Sequence, residues 1–336
     1  MKRPVLTLLF VSVLAGQHVD LKSAGSRSAA SKPEMVRAEG SVDAMGSAYS
    51  VVIYGEDRDR LQSIVAEALE EARRLDHLLS NYRPESEWSE VNRMAGRQAV
   101  PVSKELFQLL SACVEYSRQS DGTFDISVGP LMKVWGFYKG SGHLPHRAEV
   151  RGALSKVGYK NILLDAKAQT VQFAQDGVEL DPGGIGKGYA VDKIVEILRA
   201  DGIRSALVSA AGSSIYALGA PPGESGWKLN IKDPKNPSKS VAELVLKDSS
   251  LSTSGNYEKF FLAEGKLYSH IMDPRTGFPS QGMLSVSIVS PRTIDSEAWA
   301  KPYYILGRQW AAQHKMKSFR TFFCEDRAGV PCAWLQ

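Results

Sequence analysis

Between Leu61 and Leu79 the apolar residues Leu61, Ile64, Val65, Ala68, Leu69, Ala72, Leu75, Leu78 and Leu79 recur at helical spacing. That pattern places every one of them on one face of a helix of about 20 residues, and such a face must be covered by another layer. Leu106, Leu109, Leu110, Cys113 and Val114 form a second stripe opening at Ser103, and Val191, Ile194, Val195 and Leu198 a third that stops near Gly202. Residues 48–54, 161–165, 170–174, 205–209, 227–231, 241–246 and 284–290 are short β-rich runs predicted as strands. Nothing repeats at a fixed period, and strands and helices do not alternate as βαβ units. The expected fold is α+β: a single large domain over residues 35–336, with mostly antiparallel sheet flanked by helices.

At about 150 residues per domain, 336 residues allow two domains or one large one. Hydrophobic residues at 43% and charged residues at 23% exclude wholesale disorder. A net charge of +4, from 41 basic and 37 acidic residues, with no basic block interleaved with aromatics, gives no case for nucleic acid. Cys113, Cys324 and Cys332 are too few for a disulfide scaffold and form no CxxC pair. They are read as free, partly buried thiols, with a Cys324–Cys332 bridge as the alternative.

Lys2 and Arg3 precede an apolar run from Pro4 to Ala15, the pattern of a secretory signal over residues 1–16 and too short to cross a bilayer comfortably. Gln17 stands where a lipoprotein would carry cysteine, so export to the periplasm or cell envelope without lipidation is expected, an uncleaved anchor being the alternative. Residues 17–34 read as a linker rich in small and polar residues.

Familiar catalytic signatures are absent. There is no HExxH zinc helix and no GxSxG elbow. The Gly183–Gly188 run fails as a Walker loop, because Asp181 stands at its first glycine and Gly188 follows the lysine.

Five other stretches are too polar and glycine-rich for core, and too particular for ordinary loops. They are Met45-Gly46-Ser47; Ser80-Asn81-Tyr82 with Ser86 to Asn92; Asp121–Leu131 running on to Trp135-Gly136-Phe137; Leu180–Asp192 (LDPGGIGKGYAVD); and Thr253–Tyr257 (TSGNY) with Tyr268–Pro279 (YSHIMDPRTGFP). Singly, each has a plain structural reading: a turn, a close backbone approach, a core methionine, a structural histidine.

In this order, the set resembles the FAD:protein FMN transferases, the ApbE family, from about Val36 to Phe323. The resemblance implies transfer of the FMN half of FAD to a threonine or serine hydroxyl of a redox protein, with release of AMP. It also implies magnesium at the pyrophosphate, where a hard cation suits the charge. The acceptor threonine would lie in a partner motif (Asp-Gly-x-x-x-Ser/Gly-Ala-Thr), with membrane contact only through that partner or an uncleaved signal. Carried over by position, Met45, Tyr82, Thr123, Phe124, Asp125, Asp181, Lys187 and Ile271 would bind FAD. His270 and Asp273 are the candidate bases, and the resemblance favours His270. Gly184 would offer a backbone metal ligand.

Three positions depart from the family pattern. Ala211-Gly212-Ser213-Ser214 has no carboxylate, Glu297 replaces an aspartate metal ligand, and Lys301 stands where a threonine ligand belongs. An ammonium cannot ligate magnesium. Glu297 and Lys301 then form either an ordinary i,i+4 pair, or a site where the ammonium takes over part of the metal's charge. A non-catalytic FAD-binding protein and an FAD pyrophosphatase giving FMN and AMP are the alternative functions.

Overall fold

The computed structural model describes residues 34–140 and 142–336. The expected signal and linker fall outside these residues, apart from Glu34. Among the described residues no helix is long and apolar enough to cross a membrane.

An eight-stranded sheet organises the chain. Its strands are β1 (Val36–Ala44), β2 (Ser47–Gly55), β3 (Ala206–Ala210), β4 (Ser214–Leu218), β5 (Ser249–Gly255), β6 (Met283–Ser290), β7 (Arg320–Glu325) and β8 (Ala333–Trp334). They lie side by side in chain order, and every pairing is antiparallel. The remaining elements are insertions between neighbouring strands. The protein is thus a single α+β domain built on antiparallel sheet, as the sequence implies.

Helices α1 (Arg58–Leu79), α2 (Glu87–Met94), α3 (Lys104–Gln119) and α4 (Gly186–Ala200) are inserted between β2 and β3, and α5 (Thr293–Gln313) between β6 and β7. The stripe on α1 is buried against Tyr49, Val51 and Ile53 of β2 and against Val191, Ile194, Val195 and Leu198 of α4. Strand alternation sends Val52 and Tyr54 to the opposite face. There they join a second layer built from Trp227, Ile231, Leu244 and Leu246 of the hairpin Trp227–Asp233/Asn236–Leu246. β6 has helix on one side and hairpin on the other, so all eight of its residues are buried.

β1, β4, β5, β7 and β8 were not among the expected strands, and β5 is the least apparent because SSLSTSG carries little apolar surface. Its hydroxyls are paired internally instead: Ser252 Oγ lies 2.8 Å from Ser296 Oγ, and Thr253 Oγ1 lies 2.7 Å from Ser287 Oγ. Buried polar groups are tolerated when bonded in this way.

One expectation is corrected. Cys324 and Cys332 form a disulfide across eight positions, and only Cys113 is a free, buried thiol. Pairing of β7 with β8 draws the two α-carbons to 4.3 Å, which the burial argument for free thiols did not take into account.

Candidate active site

The inserted segments enclose a cleft of about 530 Å³, ample for a dinucleotide's reacting portion. Met45, Tyr82, Thr123, Phe124, Asp125, Asp181, Gly184, Lys187, His270, Ile271 and Lys301 all line it. Asp273 and Glu297 lie outside its wall.

Met45 and Gly46 are the two residues of the β1–β2 hairpin, with φ of 49° and 66°. A left-handed methionine is strained unless its surroundings hold it. Here its N–H donates to Asp76 Oδ1 at 2.8 Å, and Asp76 Oδ2 in turn accepts from Arg83 Nε at 2.9 Å. Tyr82 lies just beyond the end of α1 and meets Tyr138 edge-on at 6.2 Å.

Tyr138 is a residue that the sequence reading missed. Its hydroxyl donates to Asp181 Oδ2 at 2.6 Å, while Asp181 Oδ1 accepts from the Gly183 N–H at 2.7 Å. Burial pushes the Asp181 carboxyl up, and these two bonds oppose the rise. The preceding Leu180 is clamped from α2: Asn92 Nδ2 donates to its carbonyl at 2.9 Å, and its N–H donates to Asn92 Oδ1 at 2.7 Å. The polar 86–92 stretch is therefore a helix whose work is to hold the glycine-rich turn.

Asp125 accepts from the Ser127 N–H at 2.8 Å and the Ser127 hydroxyl at 2.6 Å on Oδ1, and from the Tyr159 N–H at 2.6 Å on Oδ2. Its oxygens are occupied in fixing the loop. Thr123 beside it has a buried hydroxyl with no protein partner, in the cleft wall, where a ligand atom could satisfy it.

His270 follows a hairpin (Phe260–Ala263/Lys266–Ser269) anchored by aromatic packing. Trp135 lies 5.5 Å from Tyr268, and Phe261 stacks on Tyr268 at 5.3 Å. The Nδ1 of His270 sits 3.1 Å from the Lys259 carbonyl. A carbonyl can only accept, so the proton resides on Nδ1 and Nε2 keeps its lone pair. Desolvation lowers the imidazole pKa to about 4, leaving it neutral at pH 7. Asp273, the other candidate base, is tied up: Arg275 Nη2 donates to Oδ2 at 2.8 Å and Arg275 Nε to Oδ1 at 2.9 Å. Its main-chain oxygen accepts from Thr276 and Gly277, as in a tight turn. Of the two, only His270 offers a free lone pair in the cleft wall.

Two lysines face the same region. Lys187, in the first turn of α4, donates to Ser213 Oγ at 2.5 Å and lies 3.9 Å from Glu258. Lys301, on α5, donates to the Glu297 carbonyl at 3.0 Å, and its Cε lies 3.7 Å from where a β-carbon on Gly184 would stand. Asp192 of α4 caps the start of α5: its carboxylate accepts from the Thr293 N–H at 2.8 Å and the Ile294 N–H at 2.9 Å.

The donor set here fits a hard divalent cation poorly, because an ammonium stands beside Glu297 Oε1, a buried carboxylate oxygen with no hydrogen-bond partner. Glu297 is buried, its Oε2 accepts the Gly188 N–H, and its Oε1 faces only the Lys301 ammonium at 3.9 Å. Magnesium seeks near-octahedral oxygen at about 2.1 Å, and a cation on Oε1 would share its space with that ammonium. Among the described residues no cluster of three or more His, Cys, Asp or Glu side chains could hold a metal.

A sequence model of the ApbE family matches residues 45–320. The chain belongs to the ApbE family. Among its ApbE relatives, it is similar to the FAD:protein FMN transferase of Klebsiella pneumoniae (strain 342), at 32% identity over 78% of this chain and 80% of that protein. It is also similar to the FAD:protein FMN transferase of Treponema pallidum (strain Nichols), at 36% identity over 68% of this chain and 67% of that one. The solved ApbE protein of Thermotoga maritima superposes with a TM-score of 0.81 at 29% identity, covering 88% of this chain and 96% of its own. The apo Pseudomonas stutzeri flavinyl transferase ApbE gives 0.78 at 27% identity, covering 89% and 94%.

Proposed function

We propose that the protein transfers FMN from FAD to a hydroxyl of an acceptor protein and releases AMP. One observation carries this reading: the glycine-lined turn with Lys187 and the His270 loop, 83 residues apart in the chain, share a single cleft of about 530 Å³. The names carried by the Klebsiella and Treponema relatives support the same chemistry.

In the transfer, the acceptor oxygen attacks the phosphorus of the FMN half. The new O–P bond forms as the bridging P–O bond breaks, and AMP leaves with that bond's electron pair. The hydroxyl proton passes to Nε2 of His270, whose Nδ1–H is held on the Lys259 carbonyl. Lys187 and Lys301 face the charge that grows on the pyrophosphate. Asp181, braced by Tyr138 and the Gly183 N–H, fixes the shape of the turn beneath it. No step is assigned to magnesium.

On this reading the acceptor is a redox protein bearing a threonine in a short motif, and the signal-like N-terminal sequence supports an encounter outside the cytoplasm, in the periplasm or envelope. Incubation with FAD and a threonine-motif peptide tests the reading. A fluorescent flavinylated peptide is the expected product; free FMN alone would mean hydrolysis, and intact FAD would mean a binding protein.

A further inference from the structure

We propose that the Lys301 ammonium is a built-in counter-ion standing where a divalent metal would sit, so that this chain binds and cleaves FAD without magnesium. The inference rests on the flavin-transfer reading above.

Lys301 occupies the junction between the first turns of α5 and the Gly184 turn, with its side chain only 21% exposed. One of its three protons is spent on the Glu297 carbonyl at 3.0 Å, leaving N–H donors for phosphate oxygens. The carboxylate that a metal would need has Oε2 spent on the Gly188 N–H, while its buried Oε1, which has no hydrogen-bond partner, faces the Lys301 ammonium at 3.9 Å. A simple i,i+4 surface pair would leave both groups in solvent, whereas the Glu297 side chain is 3% exposed and Lys301 lines the cleft.

Lys187 supplies the second charge. It approaches from α4, and its repulsion is among the causes that lower the Lys301 pKa, after burial. Each ammonium has a carboxylate only at 3.9 Å, Glu258 for Lys187 and Glu297 for Lys301, and a pyrophosphate between the lysines would give both a closer anionic partner. Together they carry the same charge as one magnesium ion, on side chains positioned before the ligand arrives.

The test compares FAD affinity, read by flavin fluorescence, and AMP release on FMN transfer to a threonine peptide, in EDTA and in millimolar Mg²⁺. It adds a calorimetric Mg²⁺ titration of the FAD-loaded protein. For the unsubstituted protein, affinity and AMP release should agree within about twofold between the two buffers, with no stoichiometric Mg²⁺ heat. For Lys301→Thr, FAD affinity in EDTA should fall by about 10- to 100-fold, as expected for loss of a charged hydrogen bond. Mg²⁺ should then restore it. Stoichiometric Mg²⁺ binding, or FAD cleavage that requires Mg²⁺, by the unsubstituted protein would overturn the inference while leaving the flavin reading intact. So would undiminished FAD affinity of Lys301→Thr in EDTA. Absence of FAD binding in both buffers would sink the flavin reading and this inference with it.

Discussion

Substituting Gly188 by alanine should destabilise the protein even though alanine is the better helix former. Gly188 lies in the first turn of α4, where it faces α5. A β-carbon there would come within 2.6 Å of the Thr293 carbonyl oxygen and 2.8 Å of Glu297 Oε2. The first of these is backbone and is held by the Asp192 cap on α5, so it cannot yield cheaply. The gain in helix propensity is at most about 1 kcal/mol. Against it stand overpacking of about 1–3 kcal/mol and damage to a charge-assisted hydrogen bond worth about 1.5–3 kcal/mol. The net loss is about 1.5–5 kcal/mol, which for a domain of this size lowers Tm by about 2–8 °C. Gly152, exposed in the helix Arg147–Leu154 with nothing within 4 Å of its would-be β-carbon, is the control. There the same substitution should stabilise by about 0.5–1 kcal/mol. Thermal melts of both variants, followed by circular dichroism, are sufficient. A Gly188→Ala protein as stable as its parent would show that α4 and α5 are not in the close contact described.

Three further outcomes are expected. If His270 is the base, kcat/KM should be level down to about pH 4 and fall about tenfold per unit below it, since the working form is the unprotonated ring and its pKa is lowered to about 4. A limb near the ordinary histidine value would contradict the desolvated setting of the ring, and unchanged transfer by His270→Ala would contradict the assignment. Tyr138→Phe removes one of the bonds bracing buried Asp181 and should weaken FAD binding about tenfold in a fluorescence titration. Cys332→Ser opens the loop closed by the disulfide across eight positions and should cost about 2–3 kcal/mol in denaturant unfolding, with no loss counting against a stabilising bridge.

The amphipathic helices were legible because each buries one face: the stripes on α1, α3 and α4 match their buried residues except at Leu78 and Val114, which are only partly buried. α5 was not legible beyond its first turns. It is buried on several sides, so it shows no stripe, and Pro302 and Gly307 within it read as breakers. β5 escaped because its inward residues are serines whose pairing partners lie 34 to 46 positions away. β1 was hidden by its charges and a glycine, as befits an edge strand. The cleft residues were named from wording shared with a family rather than from periodicity. That wording could not reveal that Asp273 serves Arg275, or that a main-chain oxygen of Lys259 sets the tautomer of His270. Tyr138, one place beyond Trp135-Gly136-Phe137, carries no signal in its residue type alone.

The carboxylate of Asp192 fastens the start of α5 to the helix that bears Lys187. The helices that carry the two positive tips are thus joined by one bracket, so the region both side chains reach is set by the scaffold. On the flavin-transfer reading, a doubly charged linkage would meet both tips and a lone phosphate only one. Discrimination between a dinucleotide and its halves is on this account written into helix placement, ahead of any contact with the rings at either end.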